Sequence, residues 1–154
     1  MVIGIIVIAI TFFGMEAVAW FAHKYIMHGF GWFIHKDHHV KNTNKSEKND
    51  LFFLIFAIPS WLNIMFGLIY SNYICVFIGI GILLYGICYL LVHDIFIHQR
   101  LKFFRRANKS YFKAIRFAHK IHHKHTEKEN GECFGMLYVP RKYYIKAKQE
   151  LTKK

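Results

Sequence analysis

From Leu51 to Val92 the chain runs without one Lys, Arg, Asp, Glu or His. That is about twice the ~20 apolar residues a helix needs to cross the roughly 30 Å hydrocarbon core of a bilayer. Ser71-Asn72, near the middle of the run, favours a turn. The run therefore reads as a helical hairpin with spans at about 51–70 and 73–92. A third block, VIGIIVIAITFFGMEAVAWFA at 2–22, holds a single ionisable side chain, Glu16, and is long enough to span as well. With 55% hydrophobic residues in 154, the chain is too oily for a basic soluble domain. The expectation is an all-α, polytopic membrane protein in which residues 1–154 form one membrane-embedded domain. FGMLYVP at 134–140 is too short to span but could rest in the interface.

The formal charge of +12 raises the question of nucleic acid, and the placement of the cations answers it. All lie outside the apolar blocks: Lys24, Lys36, Lys41, Lys45 and Lys48 between the first span and the hairpin, the rest from Arg100 on. Three spans put both segments, 23–50 and 93–154, on one side. The positive-inside rule makes that side the cytoplasm of a multi-pass inner-membrane protein. The basic tail is thus accounted for by topology and anionic headgroups, and no nucleic-acid partner is expected. A cleaved signal peptide ending near Ala17-Val18-Ala19 is disfavoured by the lack of a cationic start. Three cysteines, with Cys75 and Cys88 inside a span, argue against a disulfide framework. KNTNKSEKND at 41–50 reads as a flexible polar segment.

The eleven histidines avoid the hairpin entirely. They fall into His23 and His28; His35, His38 and His39; His93 and His98; and His119, His122 and His123, with His125 just beyond. Every group abuts the lysine-rich end of a span or lies in a lysine-rich segment. In the two H-x-x-H-H groups, offsets of three and four stack imidazoles on one helix face. In the two H-x4-H groups an offset of five leaves an ideal helix about 140° out of register. Those pairs converge only if the helix widens locally into a π-bulge, or each member serves a different metal. A closed structural zinc takes four ligands, so this many imidazoles suits two metals held by nitrogen.

In order, HKYIMH, HKDHH, HDIFIHQR and AHKIHH resemble the histidine boxes of the integral-membrane di-iron family of fatty acid hydroxylases, sterol desaturases and carotenoid oxygenating enzymes. The resemblance extends from about Trp20 to Pro140; HKYIMHG, HDIFIHQR and CFGMLYVP are most similar to its bacterial carotenoid-hydroxylating members. It implies a non-haem di-iron centre, O₂ as cosubstrate, and electrons from ferredoxin and ferredoxin reductase. It also implies hydroxylation of carbon 3 of β-ionone rings, from β-carotene through β-cryptoxanthin to zeaxanthin. The ligands it implies are His23, His28, His35, His38, His39, His93, His98, His119, His122 and His123. His125 lies outside the boxes and reads as a surface residue. Zinc can replace iron at such sites during purification.

The chemistry agrees with that resemblance. An unactivated ring C–H bond offers neither a proton for a general base nor a target for a nucleophile, so a redox metal that activates O₂ is required. Imidazole suits iron, and boxes without carboxylate ligands differ from the Glu-rich soluble di-iron bundles. Asp37 and Asp94, within the boxes, and Glu16, two turns before His23, are candidates to accept the other N–H of a ligating histidine. Arg100, Arg105 and Arg106 could pair with these acids or meet an acidic ferredoxin. The competing functions are a sterol or fatty acid hydroxylase or desaturase of the same family, a histidine-rich metal transporter, and a bis-histidine haem protein. A transporter wants polar groups near the midplane, where these spans have no histidine.

Overall fold

The computed structural model describes residues 1–40, 46–101 and 109–152, and among them there is no strand. In chain order come α1 (Val2–Phe21), which continues as a π-helical segment (Ala22–Phe30), and α2 (Trp32–His39). A 3₁₀ turn (Lys48–Phe53) leads into α3 (Leu54–Ile69). Next is α4 (Tyr73–Tyr89), which also continues as a π-helical segment (Leu90–Ile97), and then α5 (Ser110–His122) and α6 (Arg141–Thr152). Lys41, Lys45, Arg105 and Arg106 lie outside the described residues.

Three rods are long and apolar enough to cross a membrane: Val2–Phe30, Lys48–Ile69 and Tyr73–Ile97. The turn expected at Ser71-Asn72 is there. Ser71 takes a left-handed φ of 53°, and the Asn72 side-chain oxygen accepts the Cys75 N–H at 3.4 Å, capping α4. The span ends differ from expectation. The first and third rods do not stop at 22 and 92; they run on to Phe30 and Ile97 by changing to π-helical hydrogen bonding, the first with a kink at Gly29 (φ −100°, ψ −123°). The second starts at Lys48, where Glu47 and Asp50 form a reciprocal capping box.

α4 packs against both α1 and α3, and two glycines explain how. A Cβ at Gly79 would lie 2.6 Å from Cγ1 of Ile64 on α3, and one at Gly81 would lie 2.6 Å from Cβ of Thr11 on α1. Two residues turn a helix through about 200°, so the pair admits a neighbour on opposite sides. Small residues that let backbones approach drive helix packing in lipid, where there is no hydrophobic gain between apolar surfaces. The Ser60 hydroxyl adds a hydrogen bond to the Gly79 carbonyl at 2.8 Å. Between the rods sits a core of Met15, Ala19, Phe56, Ile82 and the fully buried Tyr85, closed by Met136 from the C-terminal segment. Large side chains such as Ile6, Ile10, Phe13, Trp61 and Ile69 point outward, as lipid-facing positions should.

Because the Gly81 and Thr11 Cβ positions are both fixed to backbone, Gly81→Val must push α1 away, at a cost of about 1–3 kcal/mol. The expected result is a lower thermal-aggregation midpoint in detergent. Gly14→Val, whose Cβ meets open space, should leave the midpoint close to that of the wild type.

Candidate metal centre

The two π-helical segments solve the problem posed by the offset-five pairs. In each, N–H groups reach back five residues: His98 to the His93 carbonyl at 2.9 Å, and Gly31 to the Ile26 carbonyl at 2.8 Å. The wider turn brings His23 and His28 to a ring separation of 5.3 Å and His93 and His98 to 4.6 Å. Of the two possibilities open from sequence, the members of each pair converge on the same place. α2 and α5 bring in the H-x-x-H-H boxes with ordinary helical spacing.

The imidazoles gather into two groups. His23, His28, His35, His39 and His122 form one; His38, His93, His98 and His119 form the other, with one ring nitrogen from each member within 4.8 Å of its fellows. Each H-x-x-H-H box contributes to both groups, so the two places are tied to the same pair of helices. His123 stands between them, its ring centroid 4.7 Å from those of both His38 and His39. His125 is in neither group; it is half-buried rather than at the surface, and its backbone carbonyl accepts the His39 Nδ1–H at 2.9 Å.

Hydrogen bonds at Nδ1 decide what the inward-facing nitrogens can do. The Nδ1–H groups of His23, His28 and His122 donate to the carbonyls of Phe134, Lys128 and Glu132 at 2.9, 3.1 and 2.9 Å. His35 donates to Asn49 Oδ1 at 2.6 Å, His38 to Glu47 Oε2 at 2.7 Å and His93 to Asp94 Oδ1 at 2.9 Å. A neutral imidazole has one N–H, so in each of these rings Nε2 is a bare lone pair. Yet His35 Nε2 lies 3.1 Å from the Nε2 atoms of both His23 and His39, and with all three protons spent at Nδ1 none is left to join them. Nε2 of His28, His38, His122 and His123 is buried without any partner. Converging buried lone pairs are what a cation relieves, and neutral nitrogen donors suit a borderline transition metal. The residues present therefore fit two metal ions.

Electrostatics point the same way. Burial, reinforced by the neighbouring imidazoles, lowers His98 from the ordinary 6.5 to about 3, and drives His38, His119 and His123 down too. Burial also lowers His35 to about 3, against the opposing hydrogen bond to Asn49, and His39 to about 4. At neutral pH these rings are uncharged, the form that binds metal.

The three acids singled out from sequence divide. Asp94 backs a histidine directly. Asp37 does not: its carboxylate accepts the backbone N–H groups of Lys48 at 2.6 Å and Asn49 at 3.4 Å, and so fixes the turn that presents Asn49 to His35. Glu16 does not either. Its Oε1 accepts the N–H groups of Met136, Leu137 and Tyr138 at 2.9, 2.8 and 2.9 Å, and its Oε2 accepts the Tyr85 hydroxyl at 2.8 Å. That carboxylate clamps the segment whose Phe134 carbonyl holds His23. Arg100 pairs with Glu47 and Asp50, both at 2.9 Å, rather than with Asp37, Asp94 or Glu16. Neither Glu47 nor Asn49 stands out in a segment that reads as flexible and polar; an acid and an amide four and two residues before the apolar run that starts at Leu51 were the available signal.

Residues 8–139 match the fatty acid hydroxylase family. The chain belongs to that family. Within it, the chain is 41% identical over 135 residues to the β-carotene hydroxylase of Pantoea ananas, covering 88% of this chain and 77% of that protein. It is 35% identical over 139 residues to the β-carotene hydroxylase of Pseudescherichia vulneris, covering 90% and 78%. The chloroplastic β-carotene 3-hydroxylase of Haematococcus lacustris is 39% identical over 133 residues, which is 83% of this chain and 41% of that longer protein. No solved structure matches the chain.

His35, His39 and His98 of this fatty acid hydroxylase family member give a pH prediction. Their folded pKa values lie below the unfolded value of 6.5, so below pH 6.5 the unfolded chain takes up protons that the folded site refuses. Stability is complete above that pH and falls by about 1.4 kcal/mol per pH unit for each histidine down to the folded values of about 4 for His39 and about 3 for His35 and His98. Metal-free protein should therefore lose its helical fold in an acid transition beginning near pH 6.5, monitored by circular dichroism in detergent. Bound metal should move the transition to lower pH.

Proposed function

We propose that this protein is a membrane-bound carotenoid monooxygenase that hydroxylates carbon 3 of β-ionone rings, converting β-carotene through β-cryptoxanthin to zeaxanthin. In this reading His23, His28, His35, His39 and His122 hold one iron, and His38, His93, His98 and His119 hold a second, with His123 within reach of both. When bound, the irons supply the redox chemistry that activates O₂ toward an unreactive C–H bond. Electrons come from ferredoxin and its reductase, and the histidine end faces the cytoplasm from the inner membrane. The family match and the β-carotene hydroxylases among the relatives support the reaction; the lysine bias supports the orientation.

One structural observation carries the reading. A small pocket walled by Ala19, Met27, Phe56, Tyr89 and Met136 also touches His23 of one group and His93 and His119 of the other. An apolar wall therefore meets both histidine groups at one spot. The protein's part is then positional. The Nδ1 hydrogen bonds aim the imidazole lone pairs inward, and the Tyr89 ring, stacked on His93 at 4.5 Å, fixes that histidine against the pocket wall.

Membranes containing the protein, given β-carotene, O₂ and a reduced ferredoxin system, should form first the singly and then the doubly 3-hydroxylated product. Under ¹⁸O₂ the hydroxyl oxygen should carry the label. Unlabelled hydroxyl oxygen, or ketolation or desaturation in place of hydroxylation, would contradict the proposal.

A further inference from the structure

α3 and α4 are closed at one level and open at another. Gly79 and Gly86 are two turns apart on nearly the same face of α4. At Gly79 the helices are in contact: the Ser60 hydroxyl bonds the Gly79 carbonyl at 2.8 Å, and a Cβ there would lie 2.6 Å from the Ile64 side chain. At Gly86, nearer the histidines, a Cβ would meet nothing within 4 Å. The helices thus diverge toward the metal centre and leave a crevice.

From that crevice a row of cavities with common walls leads toward the histidines. A cavity of about 320 Å³ lies between the two helices, and its wall includes Trp61, Leu83 and Ile87, whose side chains are exposed on the lipid-facing surface. A second, of about 350 Å³, shares Phe53, Phe56, Gly86 and Leu90 with the first and adds Asn49, Asp94 and Arg100 at its far wall. The second in turn shares Met27, Phe56 and Tyr89 with the small pocket that touches His23, His93 and His119. Phe56 borders all three spaces, and Gly86 borders the two larger ones.

We propose that the crevice between α3 and α4 is the route by which a long hydrocarbon dissolved in the bilayer reaches the histidines, and that the absent side chain of Gly86 sets its width. The proposal rests on the carotenoid reading above for the identity of the occupant. The outer stretch is almost wholly apolar, which suits a polyene chain. Ser60 apart, polar groups line the inner stretch, at Asn49, Asp50, Asp94 and Arg100; Asn49 and Asp94 are the partners of His35 and His93, so the ring end arrives on the histidine side. Gly86 is the small residue of α4 here, among Leu83, Ile87 and Leu90, and it shares the cavity wall with the small Ala57 and Ser60 of α3.

The test is a size series at position 86. Gly86→Phe should lower the initial rate of β-carotene hydroxylation in membranes by roughly tenfold or more while metal content per chain stays at the wild-type value. Gly86→Ala should fall between the two. Leu84→Phe, on the same helix but outside the crevice and exposed, should hydroxylate at the wild-type rate. A Gly86→Phe protein that works at the wild-type rate overturns the proposal. Should that variant fail to retain metal, Gly86→Cys decides: β-carotene should slow alkylation of position 86 by an apolar maleimide several-fold, read by peptide mass spectrometry, and leave Cys75 unaffected. Equal alkylation with and without β-carotene overturns the access route. Protection at position 86 in a protein that does not hydroxylate β-carotene would sink the functional reading and leave the route standing.

Discussion

A neutral imidazole has one proton and one lone pair, and where the proton goes decides where the lone pair points. In this protein the proton is held outward. His23, His28, His39 and His122 give it to backbone carbonyls of residues 125–134, while His35, His38 and His93 give it to Asn49, Glu47 and Asp94. The rest of the architecture serves those acceptors. Glu16, within the first rod, holds Met136, Leu137 and Tyr138 by their N–H groups, and so stabilises the segment that ends the row of carbonyls. A partly buried carboxylate with four hydrogen bonds costs far less than one left unpaired. Asp37 does for the Lys48–Asn49 turn what Glu16 does for the C-terminal segment.

The two histidine groups consequently differ in character. Backbone carbonyls and one amide stand behind the first; the carboxylates of Glu47 and Asp94 stand behind His38 and His93 of the second. A carboxylate behind an imidazole raises its basicity more than a neutral acceptor does, so the second group is the more electron-rich. Arg100, shared between Glu47 and Asp50, moderates this without removing it. Two unlike histidine groups are thus held by the same pair of helices, which fixes their separation.

Much of this was legible in the sequence, for physical reasons. An uncharged run the length of Leu51–Val92 can only be a membrane hairpin, and offsets of three and four in the H-x-x-H-H boxes have one geometric meaning on a helix. The H-x4-H pairs carried a sign of something irregular, since an α-helix would splay them, but not which remedy the chain adopts; the π-helical turns settle that. The partners behind the histidines were mostly invisible. A backbone carbonyl has no side-chain signature, and Phe134 is 111 residues from His23, so no local pattern links them. Asp94 was found because it is adjacent to its histidine. Glu16 and Asp37 stand out in the sequence as an acid inside a span and an acid inside a box, yet proximity along a helix does not say whether a carboxylate turns to an imidazole or to a nearer row of N–H groups.

In the proposed reading the histidines form two metal sites rather than one. Titration of metal-free protein with Co(II) at neutral pH, followed by its ligand-field absorption and by metal analysis of the saturated protein, measures this directly. The account predicts saturation at two equivalents per chain, with His125→Ala also taking two. Saturation at one equivalent would contradict it.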